Sequence, residues 1–320
     1  MSRLLSGVFL VTALAWAVQC AGQPYPSKPI RLVVPFGPGG TTDVIARVVA
    51  QKLAASLGPI VVENKPGAGG NIAYEYVAHA APNGYTLLAA HPALTINPSL
   101  YDSVGYNPRT SFAPVVLMAA TPLLLAVHPS LPARNVKELI ALAKKRPGEL
   151  TFASAGNGST SHLAGDMFRS MAGINVLHVP YKGAAPGMLD LVNGTMSLMI
   201  NPLPEMLPFV RPGKIRALAT TGKQRSPVVP DLPTIDEAGL PRYEIVTWAG
   251  IVAPAGVPKD VVARLNKEIV PILQLQDVRE QMMALGYVIL GSSPDEFGAY
   301  LKAETEKWAK VIKASGTKVE

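Results

Sequence analysis

Four loops in the sequence combine glycines or short polar side chains with the predicted start of a helix. Two are rich in glycine, at residues 37–40 and 67–71, the third carries serines and a threonine at residues 154–161, and the fourth holds Lys182 within residues 181–185. The first main-chain N–H groups of a helix have no partner within the helix, and the helix dipole favours an anion beside them. The four loops therefore predict that the main chain binds a small anion such as a carboxylate.

Catalytic and nucleotide-binding chemistries fit these residues less well. The dinucleotide fingerprint needs glycine or alanine where this chain has Thr42, and no Gly-x-Ser-x-Gly elbow is present. The histidines lack metal-ligand spacing, so we expect no metal, no cofactor and no catalytic residue. Ser159 and Ser161 do lie beside His162 in the sequence, which leaves an exported serine esterase or amidase as an alternative.

Strands that run into helices are expected to position the loops. Apolar runs predict buried strands at residues 32–36, 60–62, 150–153 and 176–179, and periodic apolar residues predict helices at 44–57, 72–80, 162–171 and 187–192. Thr41, Thr42 and Asp43 are candidate caps of the first helix. The alternation predicts an α/β fold with mostly parallel sheets flanked by helices, in which ligands bind beyond the carboxyl ends of the strands. Two lobes that face each other would bring the four loops around one cleft.

The composition indicates an exported globular protein. The chain has 320 residues, 48% hydrophobic and 16% charged, which is enough for two domains. Residues 1–22 have the features of a signal peptide, with Arg3 before an apolar stretch over residues 4–18. Cys20, the single cysteine, raises a lipoprotein anchor as an alternative, which Gln19 before it disfavours. We expect a periplasmic location, no disulfides and no nucleic-acid partner, because the chain has no basic block with interleaved aromatic residues.

A series of motifs runs in order along nearly the whole chain after the signal peptide. They are residues 35–43 (PFGPGGTTD), 62–71 (VENKPGAGGN), 97–101 (NPSLY), 178–183 (HVPYKG), 213–219 (GKIRALA), 232–234 (LPT) and 253–258 (APAGVP). Together they resemble the receptors of tripartite tricarboxylate transporters, the Bug-type solute-binding proteins.

The resemblance implies a fold like that of type II periplasmic binding proteins. Two lobes, each with a mostly parallel sheet flanked by helices, would be joined by a two-segment hinge near residues 115–125 and 246–252. Lobe 1 would comprise residues 23–120 and 248–320, and lobe 2 residues 121–247. Such a monomeric receptor would capture a small organic acid and deliver it to two integral membrane transporter subunits. The acid stays open among di- and tricarboxylates, acidic amino acids and aromatic acids, and so does a role beside a sensor instead of a transporter.

The loops and the resemblance together give a set of candidate ligand-binding residues. They are Phe36, Gly39, Gly40, Thr41, Ala68, Gly69 and His91 in lobe 1, and Ser154, Ala155, Thr160, His162, Lys182, Gly183, Ala184 and Asn201 in lobe 2. The chain departs from the family pattern at two of them. His91 lies in a loop that is often rich in threonine and glycine, and Asn201 stands where an aspartate is common. Because Asn201 removes a negative charge, we expect it to ease the binding of a second anionic group.

Overall fold

The computed structural model describes residues 25–284 and 286–315. The expected signal peptide and Cys20 lie outside the described residues. The strands are β1 (Ile30–Val34), β2 (Ile60–Asn64), β3 (Thr86–Ala90), β4 (Phe112–Val127), β5 (Thr151–Ser154), β6 (Leu177–Pro180), β7 (Leu198–Pro202), β8 (Arg216–Thr220), β9 (Val246–Pro254) and β10 (Val288–Ile289). The α-helices are α1 (Thr41–Leu57), α2 (Asn71–Ala78), α3 (Ala93–Leu100), α4 (Val136–Lys145), α5 (Thr160–Ala172), α6 (Ala184–Val192), α7 (Leu203–Val210), α8 (Lys259–Leu273), α9 (Gln276–Ala284) and α10 (Pro294–Ser315).

The strands form two groups, which we call lobe 1 and lobe 2. In lobe 1 the order is β2-β1-β3-β9-β4, and β10 also pairs with β4. In lobe 2 the order is β4-β7-β5-β6, and β8 also pairs with β4. The strands that precede the glycine-rich and serine-rich loops pair in parallel, as predicted. The antiparallel pairs involve β4 and β9, so each lobe has a mixed sheet.

The long strand β4 belongs to both lobes. The sequence predicts separate extended segments at residues 115–120 and 123–127, whereas the structure has one strand of 16 residues. As far as Pro122 it pairs with β9, and from Leu123 onward it pairs with β7 and β8. Proline has no main-chain N–H, so the exchange of partners leaves no unpaired donor at this residue. The predicted domain boundaries remain a prediction, because an exchange of strand partners does not by itself define two independent units.

Helix α1 packs one apolar face on the lobe 1 sheet and aims its first turn at the end of β1. Ile45, Val49 and Leu53 recur at steps of four and are buried, as the helical pattern predicts. Gly58 ends the helix with φ +67°, a left-handed conformation that glycine adopts without strain. The periodicity and the end of this helix are therefore confirmed.

The C-terminal helix α10 connects the two lobes. It starts with a capping box, in which Ser293 N–H donates to Glu296 Oε2 at 2.8 Å and Glu296 N–H donates to Ser293 Oγ at 3.3 Å. Further along, Trp308 and Ile312 are buried in the same apolar cluster as Phe168 of lobe 2. The last helix therefore contributes to the lobe 2 core although its first residues follow lobe 1.

Candidate functional site

The first glycine loop, residues 37–40, leads from β1 into α1. The N-cap of α1 is Gly40, with φ −74° and ψ 168°, and no side chain caps the helix there. Thr41, Thr42 and Asp43 lie inside the first turn, so the prediction that they cap the helix is wrong. Asp43 reaches backward instead, and the Gly39 N–H donates to its Oδ2 at 2.9 Å.

The Asp43 carboxylate holds the first glycine loop in place. It also accepts hydrogen bonds from Arg47 Nε at 2.9 Å and from Asn64 Nδ2 at 2.8 Å. Burial alone raises the pKa of Asp43, but the hydrogen bonds from Arg47, Gly39 and Asn64 outweigh it and keep the pKa below its ordinary value. An ionised Asp43 therefore secures the Gly39 N–H and leaves the start of α1 uncapped.

The second glycine loop, residues 67–71, has an unusual main chain. Gly67, Ala68, Gly69 and Gly70 all have positive φ, and Ala68 does so at +48° although it has a side chain. A Cβ on Gly69 would lie 2.7 Å from the hydroxyl of Tyr101. The close approach and the left-handed conformation therefore require glycine here.

A buried amide braces that second loop. Asn97 Nδ2 donates to the Gly69 carbonyl at 3.0 Å and to Asn71 Oδ1 at 2.7 Å. Asn97 Oδ1 is buried and has no hydrogen-bond partner among the described residues. Asn97, which the sequence shows only as part of the NPSLY motif, therefore holds the second glycine loop in place.

His91 and Phe36 pack against each other at the end of lobe 1 that faces the loops. Their ring centroids are 4.7 Å apart in an edge-to-face contact. The Ala93 N–H donates to His91 Nδ1 at 3.2 Å, which leaves Nε2 as the protonated nitrogen of the neutral ring, 3.4 Å from Thr247 Oγ1. Burial lowers the pKa of His91 from 6.5 to about 3, so the ring is neutral near pH 7.

The serine loop, residues 154–161, uses most of its hydroxyls internally. Ser159 is the N-cap of α5 and accepts from the His162 N–H at 3.2 Å. The Ala155 N–H donates to Ser161 Oγ at 2.9 Å. Thr160 differs, because its hydroxyl is buried without a partner in the described part of the chain. Thr160 is therefore the hydroxyl of this loop that is left to serve a ligand.

Two stacked histidines lie beneath the serine loop. His162 and His178 stack with ring centroids 4.1 Å apart, and Ser154 Oγ lies 2.7 Å from His178 Nε2. The Gly158 N–H donates to His162 Nδ1 at 3.1 Å, and His162 Nε2 lies 3.2 Å from Asp166 Oδ2. Both ring nitrogens of His162 thus have partners within lobe 2, and contact of this candidate residue with a ligand stays a prediction.

The lysine loop, residues 181–185, is attached to the serine loop. The Gly183 N–H donates to the Ala155 carbonyl at 3.1 Å, and Gly183, with φ +107°, is the N-cap of α6, whose first residue is Ala184. Lys182 is exposed, and no ion pair holds its side chain among the described residues. The structure therefore brings the predicted residues of these two loops together, and Lys182 is free to reach a ligand.

The two lobes touch at the start of α1. Thr41 Oγ1 donates to Glu205 Oε1 at 3.0 Å, and Asn201 Nδ2 donates to Glu205 Oε2 at 2.7 Å. Glu205 lies in the first turn of α7, directly beyond β7 of lobe 2, while Tyr287 of lobe 1 donates to the Thr41 carbonyl at 3.2 Å. Two predicted residues from opposite lobes, Thr41 and Asn201, are thus joined through one carboxylate.

This contact corrects the expectation about Asn201. The sequence suggested that the amide removes negative charge from the site, but the Glu205 carboxylate lies within hydrogen-bond distance of it. Sequence reasoning missed Glu205 because it gave no reason for an acid four residues beyond Asn201 to face the other lobe. The available signal was Pro202 and Pro204, which mark the start of a helix and place Glu205 in its first turn.

Neither a membrane-spanning helix nor a metal-binding cluster occurs among the described residues. None of their helices has both the length and the apolar character needed to cross a lipid bilayer. They also contain no group of three or more histidine, cysteine, aspartate or glutamate side chains that could hold a metal ion.

Two α/β lobes with helix starts facing each other define a periplasmic binding protein of the type II class. The chain belongs to the tripartite tricarboxylate transporter receptor family, whose sequence profile matches residues 45–317. It is therefore a solute-binding receptor of that family, and both the fold class and the family predicted from the sequence are confirmed.

Relatives and solved structures agree with this assignment over nearly the whole chain. Protein BugT of Bordetella pertussis is 37% identical over 325 residues, which cover 100% of this chain and 99% of BugT. The structure of R. palustris Rpa4515 with adipate is 39% identical, has a TM-score of 0.86, and covers 91% of this chain and 98% of that one. MatC from Rhodopseudomonas palustris with bound malate is 33% identical, has a TM-score of 0.83, and covers 90% of this chain and 100% of MatC.

Proposed function

We propose that this receptor binds a small carboxylic acid between its lobes, mainly through main-chain N–H groups at the starts of α1 and α2. The observation that carries the proposal is the contact of Thr41 with Glu205, because the two lobes meet at the uncapped first turn of α1. Two similar proteins of known structure contain adipate and malate, which are carboxylic acids of this size.

The candidate residues divide the work in this proposal. Gly40 and Thr41, with Ala68 and Gly69, would supply N–H groups from lobe 1, while Gly39, whose N–H is bonded to Asp43, would shape the loop. Phe36 and neutral His91 would line the pocket beside them. From lobe 2, Thr160, Ser154, Ala155, Asn201 and the lysine loop (Lys182, Gly183, Ala184) would complete it, with the Thr160 hydroxyl and Lys182 as the direct donors.

We further propose that the chain works in the periplasm as a monomer and hands its acid to two integral membrane subunits. Export would depend on residues 1–22. Fractionation of cells should find the protein in the periplasm, and deletion of residues 1–22 should retain it in the cytoplasm. A copy attached to the membrane through Cys20 would contradict the soluble periplasmic form and favour the lipoprotein alternative.

Ligand binding tests the main proposal directly. The purified chain should be titrated with a panel that includes adipate, malate, citrate, aspartate, glutamate and benzoate, with melting temperature and heat release as readouts. A ligand at 100 times its dissociation constant stabilises the folded state by about 2.7 kcal/mol, which a thermal melt detects. If no acid in the panel raises the melting temperature, the proposal is wrong.

A receptor role is favoured over the esterase alternative by the placement of the serines. Ser159 and Ser161 form no hydrogen bond with the His162 ring, and Ser154, which contacts the His178 ring, is fully buried. Another serine beside an imidazole, Ser130 at His128, lies outside the four candidate loops. Hydrolysis of p-nitrophenyl acetate that disappears in Ser154→Ala would support the enzyme instead.

A further inference from the structure

The start of α1 faces a negative charge that no cation neutralises. Glu205 accepts hydrogen bonds from the Thr41 hydroxyl and the Asn201 amide, both neutral donors, and forms no ion pair within the described residues. It also lies in the first turn of α7, where the helix dipole stabilises an ionised carboxylate. The protein therefore has a carboxylate of its own, that of Glu205, where the two lobes meet.

A second acceptor lies beside that carboxylate. Because an ionised Glu205 can only accept hydrogen bonds, the amide of Asn201 must turn its Nδ2 toward it, and the distance of 2.7 Å agrees. This orientation determines that the other atom of the amide is Oδ1. Asn201 is 1% exposed, and its Oδ1 has no hydrogen-bond partner among the described residues. A buried acceptor without a donor is costly unless a ligand supplies one.

We infer that Glu205, together with Asn201 Oδ1, is a specificity-determining site that selects carboxylic acids carrying a protonated amino group. An ammonium group has three N–H donors and one positive charge, which match the carboxylate of Glu205 and the free acceptor of Asn201. In an α-amino acid the ammonium lies next to the carboxylate, so both groups are satisfied when main-chain N–H groups at the start of α1 hold the carboxylate. The inference rests on the proposed carboxylate site and specifies which acids it prefers.

The same geometry acts against a second carboxylate at this position. An acid whose extra carboxylate met Glu205 would bring two like charges together in a partly buried site, which raises the free energy of the complex. A hydrogen bond to a charged partner contributes about 1.5–3 kcal/mol, so loss of the Glu205 charge should change the preference for the amino group by about 10-fold or more.

Matched pairs of acids test this inference. Isothermal titration should compare L-aspartate with succinate, L-glutamate with glutarate, L-leucine with 4-methylpentanoate, and L-phenylalanine with 3-phenylpropanoate. For the pair that binds best, the wild-type chain should prefer the amino acid by about 10-fold or more. Glu205→Gln should remove most of that preference and strengthen binding of the partner without an amino group. Glu306→Gln removes the same charge from an exposed position on α10 and should leave the ratio unchanged.

A further variant separates charge from the contact between the lobes. Thr41→Val removes the hydroxyl that donates to Glu205 and leaves the charge of Glu205 in place. This variant should therefore weaken binding of both acids of a pair and preserve the ratio of their dissociation constants. If Thr41→Val abolishes the preference as fully as Glu205→Gln, then Glu205 acts by holding the lobes together and the inference is overturned. It is also overturned if the wild type binds the acids without an amino group equally well or more tightly, and in that case the proposed carboxylate site still stands. If no carboxylate in either panel binds, the proposed function fails, and this inference fails with it.

Discussion

The loops of the two lobes are built differently. In lobe 1 the first and second glycine loops offer main chain: Gly40 caps α1 without a side chain, and the residues around Gly69 have positive φ. In lobe 2 the serine and lysine loops are held by their own polar groups, as in the contacts of Ser161 with Ala155 and of His178 with Ser154.

This difference assigns different tasks to the lobes. Main-chain N–H groups recognise a carboxylate whatever carries it, because they contact only its oxygens. In the proposed site, side chains such as Asn201 and Glu205 would contact the rest of the ligand and would distinguish one acid from another. Lobe 1 would therefore bind carboxylates in general, and lobe 2 would determine which acid is preferred.

The comparison of the two lobes assumes that they fold as one cooperative unit. Trp308→Ala tests this assumption. Trp308 of α10 is fully buried in the lobe 2 cluster, and its Nε1 donates to Glu304 Oε2 at 2.9 Å. Its loss should reduce the free energy of unfolding by about 3–5 kcal/mol. In urea denaturation the single transition should shift as a whole. Lys310→Ala, an exposed position on the same helix, is the control, and a loss below about 1 kcal/mol for Trp308→Ala would contradict a shared core.

Gly40→Val tests whether lobe 1 binds the carboxylate at the start of α1. The backbone of Gly40 is extended, and a Cβ there would meet nothing closer than the Gly37 carbonyl at 3.9 Å, so valine fits without strain. Its branched side chain should block access to the first turn of α1 and weaken acid binding by about 10–100-fold, which corresponds to about 1.4–2.8 kcal/mol. Titration with the best acid of the panel measures this.

The matched control for that variant is Gly37→Val, in the same loop and with open space around it. It should leave affinity within about two-fold, a change below about 0.5 kcal/mol. Equal losses from both variants would mean that the loop as a whole, and not the start of α1, determines binding.

Low pH should reduce the stability of the folded chain, because His178 of lobe 2 becomes protonated. Burial, with the neighbouring His162, lowers the pKa of His178 from 6.5 to about 4. Between these values the unfolded chain binds a proton that the folded chain does not, so stability falls as the pH drops from 6.5 to 4. The shift alone corresponds to about 3 kcal/mol, and solvent screening of the half-buried ring reduces this to about 2 kcal/mol. Thermal melts across this range should show less loss in His178→Gln than in the wild type. A slope that the substitution does not change would argue against a buried neutral His178.

Asn135→Ala should change stability slightly and affinity not at all. Asn135 is the N-cap of α4 in lobe 2, where its Oδ1 accepts from the Glu138 N–H at 2.9 Å. Loss of such a cap costs about 1 kcal/mol. Asn135→Asp, which preserves the acceptor, is the control. Weaker acid binding in Asn135→Ala would mean that lobe 2 helices far along the chain from the loops also shape the site.

Local patterns in the sequence predicted most of the fold. The periodicity of α1 depends on apolar residues three or four positions apart, and its end depends on the single residue Gly58. Such signals act at short range, so they survive in the sequence. The fusion of two apolar runs into the single strand β4 was missed, because Pro122 reads as an interruption when its partner strands are unknown.

The candidate site was less accessible to the same reasoning. The loops that carry main-chain donors were found from their glycines, but Glu205 reaches Thr41 from the opposite lobe, 164 residues away. His162 was proposed as a ligand contact from its position after the serine loop, whereas its nitrogens face Gly158 and Asp166. Which way a side chain points depends on tertiary packing, and spacing along the chain does not encode it.

The exchange of partners in β4 also bears on how the receptor opens. Pro122 has no main-chain N–H. A change in the angle between the lobes at this residue therefore breaks no hydrogen bond donated by Pro122. The tryptophan end of α10 spans the same junction, so its packing in the lobe 2 cluster also links the two lobes. Any change in the angle between the lobes would therefore act on this side-chain packing and on the Thr41–Glu205 contact.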